Sequence, residues 1–204
     1  MIGIIDYGLG NIMALANVYR RLNIPYLIVQ SKADVKSISK FILPGVGAFD
    51  TAMSRYKASG LAELIHTRVI AGTPILGICV GMQMLGKTSE EGSLPGLGWI
   101  NATIKKIKIS DKNRFPLPHM GWNDVVPKIP NSLFKGLEVP TPFYFLHSYE
   151  IFCSDETFVV ATTEYSSTIS VAVNSKNIFG VQFHPEKSHL GGELLLKNFA
   201  ELTC

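Results

Sequence analysis

The most constraining feature of this sequence is the regular alternation of short apolar runs and helical patterns in its first half. Each apolar run has the length of a buried strand, and each helical pattern repeats apolar residues three or four positions apart. Strands that alternate with helices pair in parallel, and the helices cover the sheet. The pattern therefore predicts an open, mostly parallel, doubly wound α/β sheet with helices on both faces. The predicted strands are Ile2–Ile5, Tyr26–Val29, residues 41–43 and the run that ends at Cys79, and the predicted helices are residues 12–22 and 61–69.

The second half of the chain changes to strand-like segments separated by turn residues. Strands joined by short connections pair antiparallel, so these segments are predicted to add antiparallel strands to the sheet. Residues 111–142 are rich in Pro, Asn and Gly, and are predicted to form loops over one end of the sheet. The chain has no internal repeat or linker, so residues 1–204 are expected to form a single domain. The strand-like segments are residues 107–109, 143–146, 158–161, 169–173 and 178–183, and Leu195, Phe199 and Leu202 indicate a last helix.

The composition excludes several classes of protein. A hydrophobic content of 47% and a charged content of 17% are typical of a globular chain. The net charge of +3 is mild, and the densest basic patch, residues 105–114, is interrupted by apolar and acidic residues, which argues against nucleic-acid binding. No apolar stretch reaches the ~18 residues of a membrane span, and the first residues lack a secretory signal. The three widely spaced cysteines, Cys79, Cys153 and Cys204, predict neither a disulfide framework nor a zinc site, so we expect a cytoplasmic protein with reduced thiols and without metal or cofactor.

One cysteine lies in a tight glycine frame that is typical of a catalytic nucleophile. Residues 77–81 read Gly-Ile-Cys-Val-Gly, which is the pattern of a nucleophile elbow between a strand and a helix. Small neighbours are needed there because the backbone crowds itself at the turn. The backbone N–H of Val80 is then placed to donate to a developing oxyanion. The alternative is that Cys79 is an inert, buried cysteine in a glycine-rich turn.

A nucleophilic thiol needs a base, and one histidine fits this role best. His184 ends a strand-like segment and is followed by Pro185 and Glu186. A histidine with a carboxylate two residues later supplies a base together with the group that fixes its tautomer. Among the other histidines, His66 is expected to be a surface or packing residue, and His189 is expected in a polar loop. For the His-Pro-Glu sequence alone, an ordinary turn remains the alternative.

Six motifs lie in the order that is found in one known family. With GICVGMQ at residues 77–83 and VQFHPEKS at residues 181–188, the chain closely resembles the class I, triad-type glutamine amidotransferases, which implies their flavodoxin-like fold. The resemblance covers the whole chain. It is closest to the branch formed by the glutaminase subunits of imidazole glycerol phosphate synthase, because four further motifs are in register: DYGLGNI at 6–12, LPGVGAF at 43–49, PHMGWN at 118–123 and YFLHSYE at 144–150.

The resemblance implies hydrolysis of the side-chain amide of L-glutamine. Cys79 would attack the amide carbon, and His184, oriented by Glu186, would protonate the departing ammonia and then activate water against the glutamyl thioester. The glycine-rich segment at residues 44–47 matches the family's oxyanion strand. Val46, Gly47 and Val80 are therefore the expected oxyanion residues. The substrate's amino-acid end is expected to be held by Gly47, Gln83, Glu91, Ser148 and Tyr149, with Glu90 as a competing candidate for Glu91.

The resemblance also implies a partner, because free ammonia would be lost to solvent. That partner is a (βα)₈-barrel cyclase subunit, which would form a heterodimer with this chain and receive ammonia through a channel for histidine biosynthesis. The residues that match the family's interface positions are Asn11, Trp122, Tyr144 and Lys187. An exposed tryptophan is a common interface residue, although Trp122 could instead cap the core.

Three other functions compete with this interpretation. The first is a paralogous glutaminase that supplies a sugar-amidating synthetase of surface-polysaccharide biosynthesis, which the stretches Gly86-Lys87 and GLGWI at 96–100 favour. The second is a cysteine hydrolase that acts without a partner, and the interface-like residues argue against it. The third is an inactive scaffold, and the presence of Cys79, His184 and Glu186 argues against that.

Overall fold

The first half of the chain forms the parallel β/α unit that the sequence predicts. The computed structural model describes residues 1–203, so Cys204 lies outside the described part of the chain. The elements are β1 (Ile2–Ile5), α1 (Ile12–Arg21), β2 (Tyr26–Val29), β3 (Lys40–Gly45), α2 (Phe49–Ala58), α3 (Ala62–Ile70), β4 (Ile75–Cys79) and the short α4 (Val80–Met84).

Helix α2 is the element of this half that the sequence analysis missed. Its buried residues, Phe49, Ala52, Met53 and Tyr56, lie at helical spacing. The helix begins after Ala48, which makes no side-chain cap, so the usual N-terminal signal is absent. Because one of its four core residues is an alanine, the apolar stripe is weak in the sequence.

The second half contributes strands and one long helix. A short 3₁₀ turn over Pro185–Lys187 precedes the last helix. His189, which the sequence placed in a polar loop, is instead the first residue of that helix. The elements are β5 (Thr88–Ser89), β6 (Ala102–Lys106), β7 (His119–Pro127), β8 (Thr141–His147), β9 (Tyr149–Cys153), β10 (Val159–Tyr165), β11 (Ser167–Ser175), β12 (Ile178–Val181) and α5 (His189–Glu201).

Two further predictions for this half are wrong. Residues 111–142 are not all loop, because the nine-residue strand β7 lies within them and pairs with β8 over seven residues. Most of β7 is exposed or half-buried, and its Gly, Asn and Asp residues conceal the alternation of a strand. The strand expected at 107–109 lies earlier, at Ala102–Lys106, and Ile107 instead donates its backbone N–H to the carbonyl of Ser148 at 3.0 Å.

The strands form one nine-stranded sheet and one small sheet. The large sheet has the order β2-β1-β3-β4-β12-β11-β10-β7-β8, and the small one has the order β5-β6-β9. Pairing is parallel from β2 to β12, and the second-half strands β11, β10, β7 and β8 extend the sheet antiparallel. The predicted fold class is confirmed: a parallel α/β sheet with antiparallel strands added by the second half.

The helices cover both faces of the large sheet. The chain moves from β1 to β2 in one direction along the sheet and from β3 to β4 in the other. Right-handed crossovers then place α1 on one face, and α2 and α3 on the opposite face. Helix α5 shares the face of α1, because the hydroxyl of Tyr19 donates to the carbonyl of Leu196 at 3.2 Å. Within residues 1–203, every helix is too short or too polar to cross a bilayer.

The parallel half of the sheet brings distant parts of the sequence to one edge. Strands β1, β3, β4 and β12 are parallel, so their carboxyl ends lie at the same side of the sheet. In open α/β sheets this edge is the usual place for a ligand site. The segments that follow these strands carry the predicted residues Asn11, Val46, Val80 and His184. Strand β8 joins the edge through the carbonyl of Tyr144, which accepts the backbone N–H of His184 at 2.9 Å.

The first prediction concerns the contact that holds α5 against this edge. A methyl group added at Gly192 would lie 1.8 Å from the carbonyl oxygen of Pro185, in the turn between His184 and Glu186. Backbone atoms cannot move aside cheaply, so Gly192→Ala should lower the free energy of unfolding by about 2 kcal/mol despite the better helix propensity of alanine. Urea unfolding measures this change.

The neighbouring glycine of the same helix is the control. A methyl group at Gly191 would first meet the side-chain methyl of Thr141 at 3.0 Å, which can shift. Gly191→Ala should therefore change stability by less than about 1 kcal/mol. Equal losses in the two variants would contradict a specific close approach at Gly192.

Candidate active site

The turn at Cys79 is built by close backbone approach. Cys79 is the last residue of β4 and has φ +55°, ψ −117°, and helix α4 begins at the next residue. A methyl group at Gly81 would lie 1.9 Å from the carbonyl oxygen of Leu43, and one at Gly77 would lie 2.6 Å from the carbonyl oxygen of Gly81. No side chain fits at either position. The glycines thus permit a left-handed residue at the end of a buried strand, which is the strained geometry of a nucleophile elbow.

His184 and Glu186 form a buried, directly hydrogen-bonded pair beside this turn. The Nδ1 of His184 is 2.8 Å from Oε1 of Glu186, and their side chains are only 4% and 2% exposed. A carboxylate only accepts hydrogen bonds, so Nδ1 carries the hydrogen and Nε2 is left to face the cavity, which His184 lines together with Cys79. The amide of Asn11 donates to the same Oε1 at 2.7 Å. The sequence did not indicate this contact of Asn11.

The charges of this cluster keep a proton on the histidine. Burial by itself lowers the pKa of His184, but its hydrogen bonds to Cys79 and Glu186 and their negative charges outweigh burial and raise that pKa to about 10. Burial would also raise the pKa of Glu186, but the hydrogen bond and charge of His184, with the amide of Asn11, hold it below its ordinary value. At neutral pH the pair is therefore an imidazolium beside a carboxylate, with the sulfur within reach of the imidazolium.

A cavity of about 280 Å³ opens directly over the sulfur of Cys79. A larger cavity of about 550 Å³ lies between Pro127 and Glu138, but no cysteine or histidine lines it, so chemistry rather than size identifies the site. Within residues 1–203, no group of three or more His, Cys, Asp or Glu side chains is arranged to hold a metal ion. The active-site cavity is lined by Val46, Gly47, Cys79, Val80, Gln83, Glu91, Pro118, Leu146, His147, Ser148, Tyr149 and His184.

The lining brings together most of the residues that the sequence predicts. All the expected oxyanion and substrate-binding residues are present, and Glu186 lies behind His184 rather than in the wall. The segment with Val46 is held beside the turn because Gly45 pairs with Cys79 in the sheet. Gly47 has φ +83°, a conformation that favours glycine. The wall residues without a sequence-based role are Pro118, Leu146 and His147.

The structure separates the two neighbouring carboxylates that the sequence could not distinguish. Glu91 lines the cavity, and its Oε2 accepts the backbone N–H of Phe49 at 2.9 Å. The Oε2 of Glu90 instead accepts the backbone N–H of Lys106 at 2.8 Å, and Glu90 is not part of the cavity wall. A carboxylate that faces the cavity can bind a substrate ammonium, so Glu91 is the candidate that the geometry favours.

A buried histidine pair, which the sequence analysis missed, supports the Ser148–Tyr149 segment. The Nδ1 of His147 is 2.8 Å from the carbonyl oxygen of Tyr149, and its Nε2 is 3.0 Å from Nδ1 of His119. A carbonyl oxygen only accepts hydrogen bonds, so Nδ1 of His147 carries the hydrogen. The Nε2 of His147 then accepts a hydrogen bond from Nδ1 of His119, so both rings are neutral and each donates through its Nδ1. The amide of Asn123 then donates to Nε2 of His119 at 3.3 Å. The signal in the sequence was a histidine at the first residue of β7 and another at the last residue of β8, the strand that pairs with it.

The residues predicted at a partner interface lie around the segment that carries His184 and Glu186. Trp122 is 49% exposed, and its ring stacks on that of His189 with centroids 5.0 Å apart. The ammonium of Lys187 lies 5.4 Å from the centre of the Tyr144 ring. Asn11 differs from these three, because its side chain is turned inward to Glu186.

The fold and this site define an amidotransferase of the class that the motifs predict. The profile of the family "Glutamine amidotransferase class-I" matches residues 3–202, and the chain belongs to that family. A solved structure described as a glutamine amidotransferase has a TM-score of 0.74 at 20% identity, over 98% of this chain and 97% of its own. A glutamine amidotransferase from Thermotoga maritima has a TM-score of 0.64 at 20% identity, over 98% and 89%. At such identities these structures support the fold alone.

Relatives at higher identity identify the branch of the family. The "Imidazole glycerol phosphate synthase subunit HisH" of Bdellovibrio bacteriovorus is 50% identical over 99% of this chain and 100% of its own length. The protein of the same name from Leptospira borgpetersenii is 48% identical over 99% and 100%. The resemblance to this branch, predicted from six short motifs, is confirmed by relatives that align along the full chain.

The second prediction follows from the neutral histidine pair. Burial lowers the pKa of His119 to about 4. It also lowers the pKa of His147 to about 3, although the hydrogen bond to the carbonyl of Tyr149 acts in the opposite direction. The unfolded chain takes up protons near pH 6.5, while the folded chain does not until about pH 4, so stability should fall as the pH decreases through this window. Each histidine should contribute about 2 kcal/mol of that loss between pH 7 and pH 5.

His119→Asn separates titration from hydrogen bonding. The amide nitrogen of asparagine can replace Nδ1 as the donor to His147, but it does not titrate. The loss of unfolding free energy between pH 7 and pH 5, measured with urea, should shrink by about 2 kcal/mol. Thr163→Val, which removes a buried hydrogen bond to the carbonyl of Asp124 and no titratable group, should lower stability but retain the parent's pH dependence. An unchanged pH dependence in His119→Asn would contradict the neutral, buried pair.

Proposed function

We propose that this chain is the glutaminase subunit of an imidazole glycerol phosphate synthase and hydrolyses L-glutamine to L-glutamate and ammonia. The observation that carries the proposal is the position of Cys79, at a strand-to-helix turn, beside the hydrogen-bonded pair His184–Glu186 and beneath a cavity of about 280 Å³. It occurs in a chain that is 50% identical, along its full length, to a protein of that name. The chain acts as a single domain over residues 1–204.

The reaction begins when the sulfur of Cys79 attacks the amide carbon of the substrate. The carbonyl electron pair moves to oxygen, and His184, which holds a proton at neutral pH, gives it to the amide nitrogen as the C–N bond breaks. Ammonia leaves and a glutamyl thioester remains. His184, now neutral, takes a proton from water, whose oxygen attacks the thioester, and the C–S bond breaks to release glutamate. Glu186 holds the imidazole in the tautomer that each step needs.

The oxyanion is stabilised by backbone donors on two segments. The N–H of Val80 is at the start of α4, directly after the nucleophile. Val46 and Gly47 face the same cavity from the segment after β3. Since both segments are held in register by the pairing of Gly45 with Cys79, their N–H groups are fixed before substrate binds. Donors that are fixed in advance need no reorganisation in the transition state.

The substrate's amino-acid end binds at the opposite wall of the cavity. Glu91 pairs with the ammonium, and the carboxylate of glutamine lies near Ser148 and Tyr149. Gln83 is 2% exposed, and its Oε1 has no hydrogen-bond partner within residues 1–203. A buried acceptor without a partner is costly, so a donor of the substrate is its expected partner.

Ammonia is retained by a partner, which we propose is a (βα)₈-barrel cyclase subunit in a heterodimer with this chain. The surface around the segment with His184 and Glu186 suits a protein partner, because large apolar side chains lie exposed there: Trp122 is 49%, Met120 65% and Leu190 81% exposed. Asn11, Tyr144 and Lys187 complete this docking face. The cyclase combines ammonia with its nucleotide substrate in histidine biosynthesis. A catalytic thiol must stay reduced, which is consistent with a cytoplasmic enzyme.

The third prediction tests the reaction and the partner together. Glutamate release from L-glutamine should be weak with the chain alone, and strong once an imidazole glycerol phosphate synthase cyclase subunit and its nucleotide substrate are added. Cys79→Ala removes the nucleophile and should lower the stimulated rate at least about 1000-fold. Unfolding in urea provides the check that Cys79→Ala is folded.

Each result of this experiment has a distinct meaning. If Cys79→Ala hydrolysed glutamine as fast as the parent chain, the assignment of the nucleophile would be wrong. If glutamine formed a thioester on Cys79 but the cyclase gave no stimulation, the glutaminase chemistry would stand and the cyclase would be the wrong partner.

The fourth prediction concerns the docking face. Trp122→Ala removes a large, half-exposed ring and should weaken binding of the cyclase by about 2 kcal/mol, which is a roughly 30-fold rise in Kd measured by titration calorimetry. Ile70→Ala, at an exposed apolar residue at the end of α3, should leave Kd unchanged. An unchanged Kd in Trp122→Ala, with a lower free energy of unfolding, would instead identify Trp122 as a cap of the core.

A further inference from the structure

One fully buried polar side chain beside the nucleophile has no role in the steps described above. Gln182 lies between strand β12 and the catalytic His184, and it is 0% exposed. We propose that Gln182 is a further catalytic residue of the glutaminase, whose side-chain N–H donates a hydrogen bond to the sulfur of Cys79. This inference rests on the proposed function, since it takes Cys79 as the nucleophile.

The contacts of Gln182 connect the sulfur to the substrate wall. Its Nε2 is 3.7 Å from Sγ of Cys79, within the range of a hydrogen bond to sulfur. Its Oε1 accepts the Nε2 hydrogen of Gln83 at 3.0 Å. Its backbone N–H donates to the carbonyl of Val171 at 2.8 Å, so the main chain beneath it is fixed in the sheet.

The orientation of the two amides follows from counting donors and acceptors. As the amides stand, the one unpaired atom of the pair within residues 1–203 is the carbonyl oxygen of Gln83. If both amides were turned over, the Gln83 nitrogen would take that buried place, with hydrogens left unpaired. Unpaired buried N–H groups are rarer in proteins than under-satisfied carbonyl oxygens. The nitrogen of Gln182 therefore faces the sulfur, and the oxygen of Gln83 is left to receive a hydrogen from the substrate.

An N–H group that faces the sulfur stabilises the charged form of the nucleophile, which is the thiolate. A thiolate accepts hydrogen bonds strongly, whereas a neutral thiol gains little from a donor. The same contact serves the second half of the reaction. When water attacks the thioester, the new C–O bond forms, the C–S bond breaks, and its electron pair returns to the sulfur. At that moment Gln182 and the protonated His184 both stabilise the developing negative charge.

The experiment measures how readily the sulfur ionises, with glutamine absent. The parent chain, Gln182→Met and Cys79→Ala are treated with iodoacetamide from pH 5 to pH 10, and alkylation of the Cys79 peptide is followed by mass spectrometry, which separates it from Cys153. Methionine keeps the length of the side chain and removes both polar atoms. The midpoint of the alkylation profile of Gln182→Met should move about one pH unit upward, since hydrogen bonds to charged groups contribute roughly 1.5 kcal/mol.

Catalysis should change in the same direction. With the cyclase and its nucleotide substrate present, kcat for glutamate release at pH 7 should fall about tenfold in Gln182→Met. Gln182→Glu is a second variant that keeps an acceptor for Gln83 and replaces the N–H with a carboxylate, so its alkylation midpoint should also rise.

The control is a buried hydrogen bond that does not touch the sulfur. Thr163 is 1% exposed, and its hydroxyl donates to the carbonyl of Asp124. Thr163→Val removes that hydrogen bond at constant volume, so a general loss of stability would appear in this variant too, whereas its alkylation profile should match that of the parent. A purely structural role for Gln182 would lower stability and leave the midpoint in place.

The possible results are separate for this inference and for the proposed function. An unchanged alkylation midpoint in the two Gln182 variants would overturn the role of Gln182, even if the parent hydrolyses glutamine. A downward shift would also overturn it, because the amide oxygen would then face a thiol. If the parent failed to hydrolyse glutamine with the cyclase present, the proposed function would fail, while an upward shift would still establish the contact with the sulfur.

Discussion

The approach of the backbone at residue 81 to the carbonyl of Leu43 is the contact on which the rest of the site depends. It leaves no space for a side chain, since an added methyl group would lie 1.9 Å from that oxygen. The chain can therefore turn from β4 into α4 within one residue, and Cys79 takes up a left-handed conformation at the end of a buried strand. Because the same contact holds β3 beside the turn, the oxyanion segment and the nucleophile are positioned by one packing interaction.

The charged groups of this site are stabilised by a small number of buried hydrogen-bond partners. The carboxylate of Glu186 is almost fully buried, yet it remains ionised because His184 and Asn11 both donate to its Oε1. A buried charge is tolerated only with such pairing. Asn11 also belongs to the predicted docking face, so one amide lies both on the surface that a cyclase would cover and against the acid of the triad.

The substrate wall depends on neutral groups instead. The histidine pair supports the segment with Ser148 and Tyr149 through hydrogen bonds that run in one direction, and burial keeps both rings uncharged at neutral pH. On the opposite side, the two glutamines leave one carbonyl oxygen, that of Gln83, without a hydrogen-bond partner within residues 1–203. The site thus places an imidazolium–carboxylate pair beside neutral amides and imidazoles, so it presents both charge and a fixed pattern of donors and acceptors.

The sequence by itself determined the parallel half of the fold and predicted the nucleophile and the histidine with its carboxylate, because strand and helix periodicity and glycines at a turn are local properties of the chain. It did not reveal β7, whose exposed face and Gly, Asn and Asp residues hide its alternation, or α2, whose stripe includes an alanine. It left Glu90 as a competitor of Glu91, and only the tertiary structure showed that Glu91 alone of the two lines the cavity. The pairing of His119 with His147, and of Gln182 with Cys79, joins positions 28 and 103 residues apart. Such contacts depend on strand register across the sheet, which no local pattern encodes.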